Sequence, residues 1–193
     1  MGVLLGRDVL EQVPTDEGFL LVYLRRDTPR RVFRALANCG MPARIYGPGR
    51  SGIEGSLSFF PVSREAFVAD LARCRALVST AGNQVVGEAL HLGKPVLALP
   101  ELGNWEQGMN GFFLEKMGVG RCASMRCLRS KTIREFLSDL ETYRKAMPVG
   151  DVGGNVEVSR ILEEAIASIQ MAPKPRWYSW AGIQQTFLRQ EAA

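Results

Sequence analysis

The sequence predicts an α/β protein with a doubly wound parallel sheet. Three observations lead to this fold class. Apolar runs alternate with amphipathic helical segments between Phe19 and Met147. The runs are short and almost continuously apolar, which is typical of strands buried on both faces of a parallel sheet. The chain has 193 residues, of which 46% are hydrophobic and 23% charged. This composition supports the packed core of a globular domain.

The predicted strands are the short apolar runs. The first is "FLLVYL" (Phe19–Leu24), which follows an acidic turn. The others cover residues 43–47, 56–60, 76–80, 95–100 and 120–125. The segment "PGRSGIEG" (48–55) is predicted to be a glycine-rich loop, and it has no phosphate-loop consensus.

The predicted helices carry apolar residues at helical spacing. In the first one, Val32 and Leu36 share a stripe and Gly40 ends the helix. This helix spans residues 28–40, and the others span 63–74, 83–92, 104–118, 132–147, 155–170 and 177–190. Because helices and strands alternate along the chain, we expect helices on both faces of the sheet.

Residues 1–170 are predicted to form one domain, and residues 171–193 a C-terminal tail helix. Trp180, Ile183 and Phe187 in this tail fall on one stripe of a helix. The stripe is expected to pack across a cleft or on a partner, or to cause self-association. The alternative is that it packs on its own domain as core.

Composition and charge exclude several classes of function. No apolar run approaches the length of a membrane span, and the start of the chain lacks the basic region of a signal peptide, so we expect a cytoplasmic protein. The chain has 24 basic and 20 acidic residues but no dense basic run, so no nucleic-acid partner is expected. The spacing of the four cysteines matches no zinc pattern, and there is one histidine. No metal site is therefore expected.

The chemistry is concentrated in residues 79–111. The strand that ends at Ser79 is followed by Gly82 at a helix start, where free amides favour an anion such as a diphosphate, and Thr80 adds a hydroxyl. Glu88 lies about one turn further on, and because helical side chains tilt toward the N-terminus, it can lean back toward the same ligand. A carboxylate there can accept hydrogen bonds from a ribose diol. Taken alone, these features also fit an ordinary strand-to-helix turn and a solvated glutamate.

The whole ordered pattern, "AG-x5-EAL-x2-GKP-x4-P" followed by "WEQ-x2-N", resembles the nucleotide-sugar half of GT-B glycosyltransferases. It is most similar to the branch that includes the MurG-like N-acetylglucosaminyl transferases, whose C-terminal domain is of the glycosyltransferase family 28 type. The resemblance extends from Phe19 to Ala167, and its specific part lies between Phe59 and Gly120. It implies a Rossmann-like domain that is one half of a GT-B fold.

The resemblance implies a role for each matching residue. Gly82 and Asn83 would lie under the diphosphate, with Thr80 near them. Glu88 would hold the ribose hydroxyls. Glu106 and the adjacent Gln107 would bind hydroxyls of the donor sugar.

Further positions follow from the same resemblance. Asn110 would lie beside the sugar-binding pair, and Phe60 and Val62 belong to the loop where the family places its nucleobase. The sequence departs from the family after the first strand, where "LRRDTP" replaces a glycine-rich loop. Arg25 and Arg26 in this stretch are expected either to face the phosphates or to be surface residues.

The implied function is that of the donor-binding half of a glycosyltransferase. It would take part in transfer of a sugar from a nucleotide diphosphate sugar, expected to be UDP-linked, to an acceptor hydroxyl. No cofactor or metal is expected, which agrees with the lack of an Asp-x-Asp motif. The catalytic base and the acceptor site are expected on an N-terminal domain, carried by the same or another chain. This chain alone would then bind donor without full activity, and any peripheral membrane contact would be made by that other half.

Two alternatives remain open from the sequence. One is half of a nonhydrolysing nucleotide-sugar epimerase, which shares the two-domain architecture. The other is a non-catalytic subunit that completes an enzyme carried on another chain.

Overall fold

The computed structural model describes residues 3–147 and 154–171. Its centre is a seven-stranded sheet with the strand order β3-β4-β2-β1-β5-β6-β7. All neighbouring strands are parallel except the pair β3 and β4. The strands are β1 (Leu20–Tyr23), β2 (Ala43–Tyr46), β3 (Gly52–Glu54), β4 (Leu57–Phe60), β5 (Ala76–Ser79), β6 (Val96–Ala98) and β7 (Gly120–Cys122). The predicted α/β class with a doubly wound, mostly parallel sheet is confirmed.

Among the described residues, one helix precedes β1, single helices connect β1 to β2 and each strand from β4 to the next, and the remaining helices follow β7. They are α1 (Arg7–Leu10), α2 (Arg30–Ala37), α3 (Arg64–Arg73), α4 (Asn83–His91), α5 (Trp105–Lys116), α6 (Ser130–Ser138), α7 (Leu140–Ala146) and α8 (Asn155–Met171). α1 was not predicted, because a helix of one turn is too short to show a periodic apolar pattern.

The sheet separates two hydrophobic cores. Successive side chains of a strand point to opposite faces, so in β1 Leu21 enters one core while Leu20 and Val22 enter the other. The first core contains buried residues of α1, α3, α4 and α5, and the second contains those of α2, α6 and α7. Leu20, Leu21 and Val22 are all fully buried. The sheet is therefore the middle layer of three, as the apolar strands predict.

The start of the chain is fastened to α4 and to residue 155. The Asn155 side chain accepts a hydrogen bond from the amide of Leu5 and donates one to its carbonyl, each at 2.8 Å. Val3 fills the space beside Gly87 of α4, where a Cβ would lie 2.4 Å from a Val3 methyl carbon. Gly87 is thus the residue that allows the first segment to lie against α4.

The segment predicted as a loop at 48–55 contains a strand, and this prediction was wrong. β3 pairs with β4 in antiparallel register, with Glu54 opposite Leu57, and Gly55 turns the chain at a φ of 61°. All three residues of β3 are exposed. An edge strand without a buried face carries no apolar alternation, so the sequence pattern cannot reveal it.

The predicted helix 132–147 is divided into α6 and α7 at Asp139, whose amide bonds to the carbonyl of Phe136 at 3.2 Å. The break lets Phe136 and Leu140 both lie in the core, and Phe136 stacks on Tyr143 with ring centroids 5.5 Å apart.

Among the described residues, those up to Asn155 belong to one compact unit and those from Val156 to Met171 to a second. In the second unit, α8 carries an ion pair between Arg160 and Glu164 at 2.6 Å. The predicted tail helix lies outside the described residues, so its packing stays a prediction. In the described part of the chain, no helix has the length and apolar composition needed to cross a bilayer.

The loop after β2 depends on Gly47. This residue has a φ of 104°, and a Cβ on it would lie 1.9 Å from the carbonyl oxygen of Leu24. Gly40 also has a positive φ, of 88°, but a Cβ there would meet no atom within 4 Å. An alanine at Gly40 would therefore add backbone strain alone, whereas an alanine at Gly47 would add strain and a steric clash.

We expect Gly47→Ala to lower the free energy of unfolding by about 3 kcal/mol or more, since left-handed strain and overpacking against backbone add together. Gly40→Ala should cost only about 1 kcal/mol, from strain alone. Urea denaturation followed by circular dichroism measures both. Equal losses would mean that the loop moves away from Leu24 at little cost.

Candidate functional site

The polar residues that the sequence singled out collect at the carboxyl edge of the sheet. From β1 the chain adds β2 on one side and later returns to add β5 on the other. In such sheets the crevice between the carboxyl ends of the two central strands is where ligands bind. The predicted residues that follow strands at this edge are Arg25, Arg26, Phe60, Val62, Thr80, Gly82 and Asn83.

The turn between β5 and α4 has an unusual backbone at Ala81. Its φ is 62°, a left-handed value that few residues other than glycine adopt. The Ser79 hydroxyl accepts a hydrogen bond from the Ala81 amide at 3.1 Å, and Asn110 Nδ2 donates to the Ala81 carbonyl at 2.9 Å. Such a conformation costs about 1–3 kcal/mol and persists only where the surroundings impose it. Asn110, predicted near the donor sugar, has this structural contact.

The first turn of α4 has amides without a side-chain cap. Gly82 is the N-cap residue and provides no side chain to accept their hydrogen bonds. A Cβ on Gly82 would meet no atom within 4 Å, and Asn83 is exposed. Thr80 is largely buried beside the turn. Because the first amides of a helix need acceptors, this turn can accommodate an anion.

Glu88 is buried rather than leaning out of the core stripe. Only 1% of it is exposed, and its carboxylate accepts hydrogen bonds from Arg64 Nη1 at 3.0 Å and Nη2 at 2.8 Å. Gln84 Nε2, one turn earlier on α4, donates to the same carboxylate at 2.9 Å. Glu88 is therefore not the solvated glutamate that the sequence also allowed, because Arg64 supplies the partner that burial of a carboxylate requires.

Arg64 links Glu88 to a second carboxylate. Its Nε donates to Asp8 of α1 at 2.7 Å, and its side chain remains 50% exposed. Hydrogen bonds to Glu88 and Asp8 raise the pKa of Arg64 above its ordinary value, and the hydrogen bond from Arg64 lowers the pKa of Asp8. One guanidinium therefore lies between two carboxylates.

A cleft of about 280 Å³ opens beside this ion pair. We call it the aromatic cleft, because Tyr23, Tyr46 and Phe67 form its wall. The Phe67 ring lies 5.2 Å from that of Tyr23 and 5.6 Å from that of Tyr46, measured between centroids. Val62, Arg64, Gln84 and Glu88 also line it. Planar apolar walls with few polar groups are typical of small-molecule sites.

Val62 and Phe60, the two residues predicted to lie near the nucleobase, have different surroundings. Val62 lines the aromatic cleft and is 66% exposed. Phe60 instead stacks on Tyr46, with centroids 5.4 Å apart, and so supports the wall.

The two residues of the predicted sugar-binding pair differ in exposure. Glu106 is exposed, whereas Gln107 is buried and bonds to Glu101 through both ends of its amide. Gln107 Oε1 accepts from the Glu101 amide at 2.8 Å, and Nε2 donates to the Glu101 carboxylate at 3.1 Å. Gln107 therefore holds the loop after β6. Arg25 Nε contacts the same Glu101 carboxylate at 3.2 Å, and Arg26 lies beside Gly49.

A larger hollow of about 570 Å³ lies along α5, where Leu102, Trp105, Met109 and Phe112 line it. Trp105 is 86% exposed and Leu102 81%. These residues are not among the predicted site residues. The three on α5 fall at positions i, i+4 and i+7, so the stripe was visible in the sequence and would be read as core.

Arg64, Tyr23 and Tyr46 were also missed. The tyrosines end β1 and β2, at the edge where a site is expected, so their position was a usable signal. Arg64 had no such signal, because it is one of 24 basic residues and its partners come from distant parts of the chain.

These features define a Rossmann-like α/β domain with a cleft beside the carboxyl ends of β1 and β2. Residues 1–141 match the family model described as glycosyl transferase family 1. The chain belongs to this family.

One curated relative and several solved structures are similar to this chain. An uncharacterised glycosyltransferase of Methanosarcina acetivorans is 30% identical over 99 residues, which are 47% of this chain and 26% of that protein. The calicheamicin glycosyltransferase CalG4 is similar with a TM-score of 0.64, 19% identity, and coverage of 89% of this chain and 47% of its own. For UGT2 of Phytolacca americana, complexed with UDP-2fluoro-glucose and pterostilbene, the TM-score is 0.60, with 16% identity and coverage of 86% and 45%.

The spinosyn forosaminyltransferase SpnP has a TM-score of 0.59 at 15% identity, with coverage of 86% of this chain and 47% of its own. This chain therefore spans about a quarter of the curated relative and less than half of each of these solved structures. The fold they share is that of a GT-B glycosyltransferase domain.

We expect Gln107→Ala to lower the free energy of unfolding by about 2 kcal/mol, since it leaves the Glu101 amide without its acceptor. The neighbouring Glu106→Ala should change it by no more than about 0.5 kcal/mol, because Glu106 is exposed. Urea denaturation of both variants measures the difference. A neutral Gln107→Ala would show that the loop after β6 does not depend on this amide.

Proposed function

We propose that this domain binds the nucleotide-sugar donor of a glycosyltransferase, with a UDP-linked sugar as the substrate. The proposal depends most on one observation: the aromatic cleft, the buried Glu88 carboxylate and the uncapped turn of α4 adjoin at the carboxyl edge of the sheet. Membership of glycosyl transferase family 1 supports the reaction class.

The nucleoside would occupy the aromatic cleft. A flat base packs well against aromatic rings, and Tyr23 and Phe67 offer such a surface. Glu88 lines the same cleft, so a hydroxyl of the ribose could donate to its carboxylate. The neighbour that was solved with UDP-2fluoro-glucose supports uridine as the base.

The diphosphate would lie at the start of α4. The open amides near Gly82 and Asn83 and the positive end of the helix favour negative charge there. When the bond between sugar and diphosphate breaks, negative charge develops on the leaving diphosphate. Amides already pointing at that charge stabilise the transition state without having to reorganise.

The donor sugar would lie near Glu106, the exposed member of the predicted pair. Gln107 would act indirectly, because it shapes the loop that carries Glu101. Arg25, which contacts Glu101, would add positive charge at this end of the site.

The acceptor site and the general base are proposed to belong to a second domain, on the same or another polypeptide. The support is that this chain aligns with less than half of each solved relative. The more specific relationship to the MurG-like branch is also part of the proposal, and it depends on the donor-side motif between Phe59 and Gly120.

We expect the purified chain to bind uridine diphosphate and to bind uridine monophosphate at least about ten-fold more weakly, because the second phosphate adds charge at the helix start. Isothermal titration calorimetry with uridine monophosphate and with uridine, guanosine and thymidine diphosphates measures the effect of the second phosphate and the base preference together. If the chain binds none of the three diphosphates, the donor-site proposal is refuted.

A second measurement separates the sugar from the nucleotide. Glu106→Ala should weaken binding of UDP-sugar by roughly 1–2 kcal/mol, the worth of a hydrogen bond to a charged group, while binding of UDP stays the same. Glu135→Ala is the control, since Glu135 lies on α6, which covers the other face of the sheet, and pairs there with Arg121 of β7. Equal losses for both ligands would place Glu106 at the nucleotide instead.

A further inference from the structure

The ion pair between Arg64 and Glu88 leaves one hydrogen-bond acceptor and one donor unused beside the aromatic cleft. Glu88 Oε1 accepts two hydrogen bonds, from Arg64 Nη2 and Gln84 Nε2, whereas Oε2 accepts one, from Arg64 Nη1. A carboxylate oxygen has two lone pairs. Among the described residues, Oε2 therefore keeps one acceptor position.

Arg64 has a matching donor. Its Nε and Nη2 both donate to Asp8, and Nη2 also donates to Glu88. Nη1 carries two N–H groups and uses one of them for Glu88 Oε2. Within residues 3–147 and 154–171 its second N–H has no protein acceptor. A donor and an acceptor thus remain on adjacent atoms 3.0 Å apart, on residues that line the aromatic cleft.

The charge at this place selects the class of ligand. Arg64 is flanked by the carboxylates of Asp8 and Glu88, so the cluster carries one more negative than positive charge. A phosphate would be repelled by the two carboxylates. A pair of neighbouring hydroxyls is neutral, and it can donate to Oε2 while it accepts from Nη1.

We propose that Arg64 contacts the ribose directly and forms with Glu88 one recognition unit for the vicinal 2′- and 3′-hydroxyls. One hydroxyl donates to Glu88 Oε2, and the other accepts from Arg64 Nη1. The unit selects ribonucleotides over deoxyribonucleotides. This proposal rests on the proposed donor site and adds a residue that determines its specificity.

A purely structural role for Arg64 makes a different prediction. Arg64 also fastens α1 through Asp8, so its replacement lowers stability in either case. If Arg64 only held α1 in place, its replacement would not change the preference of the chain for ribose over deoxyribose. The relevant quantity is therefore a ratio of dissociation constants, not an affinity.

The experiment is calorimetric titration of the full chain with UDP, 2′-deoxy-UDP and 3′-deoxy-UDP. The wild type should bind UDP about ten-fold more tightly than either analogue, as expected for one hydrogen bond to a charged group. Arg64→Lys keeps the charge but loses the fork that spans both contacts. In this variant UDP should bind no more than about two-fold more tightly than one of the two analogues, whereas its preference over the other analogue should stay at the wild-type value.

Arg73→Lys is the matched control. Arg73 ends the same helix, is 43% exposed, and lies between two carboxylates, Asp70 at 2.9 Å and Glu17 at 3.7 Å. It does not line the aromatic cleft. Both discrimination ratios should stay at the wild-type values in this variant.

The outcomes separate the two proposals. A wild type that binds none of the three nucleotides overturns the donor site and the ribose unit together. Binding of UDP with unchanged ratios in Arg64→Lys overturns the ribose unit alone. If Arg64→Lys does not fold, the wild-type ratios decide, because equal binding of UDP and both analogues also overturns it.

Discussion

The left-handed backbone at Ala81 is the constraint on which the candidate site depends. Ser79 holds the amide of this residue and Asn110 holds its carbonyl, so β5, the turn and α5 are joined at one point. The turn directs α4 away from the end of β5 and leaves the first amides of the helix open. The position of Glu88 on α4, and so the polar side of the aromatic cleft, follows from this direction.

Buried carboxylates organise both sides of the aromatic cleft. On one side Glu88 is compensated by Arg64 and Gln84. On the other, Asp70 is buried below Tyr46, accepts a hydrogen bond from its hydroxyl at 2.7 Å, and pairs with Arg44 at 2.6 Å. Burial and the contact with Asp70 raise the pKa of Tyr46, so the ring is held as a neutral wall. A buried charge is tolerated only with such partners, which makes the wall and the ion pair rigid features.

Most of the fold could be predicted from the sequence, because the apolar runs and the amphipathic helices are local patterns. It placed the strands within a few residues, and the resemblance pointed to Gly82 and Val62 at the edge where the structure has them. It failed for β3, whose residues are all exposed, and for the break at Asp139, which the second core requires. In the site it did not anticipate that Gln107 bonds within the chain or that Arg64 reaches Glu88.

The sequence by itself determined the α/β class and the order of the elements, since spacing and apolar period are properties of neighbouring residues. It also pointed to residues 79–111 as the candidate site, and this part stays a prediction. Only the tertiary structure decided which polar groups remain available to a ligand. Arg64 and Asp8 are 56 residues apart in the chain, and Arg64 and Glu88 are 24 apart. Their hydrogen bonds form because α1, α3 and α4 pack on the same face of the sheet. Local pattern says nothing about such partners, and it is partners that determine whether a buried carboxylate is satisfied or free to bind.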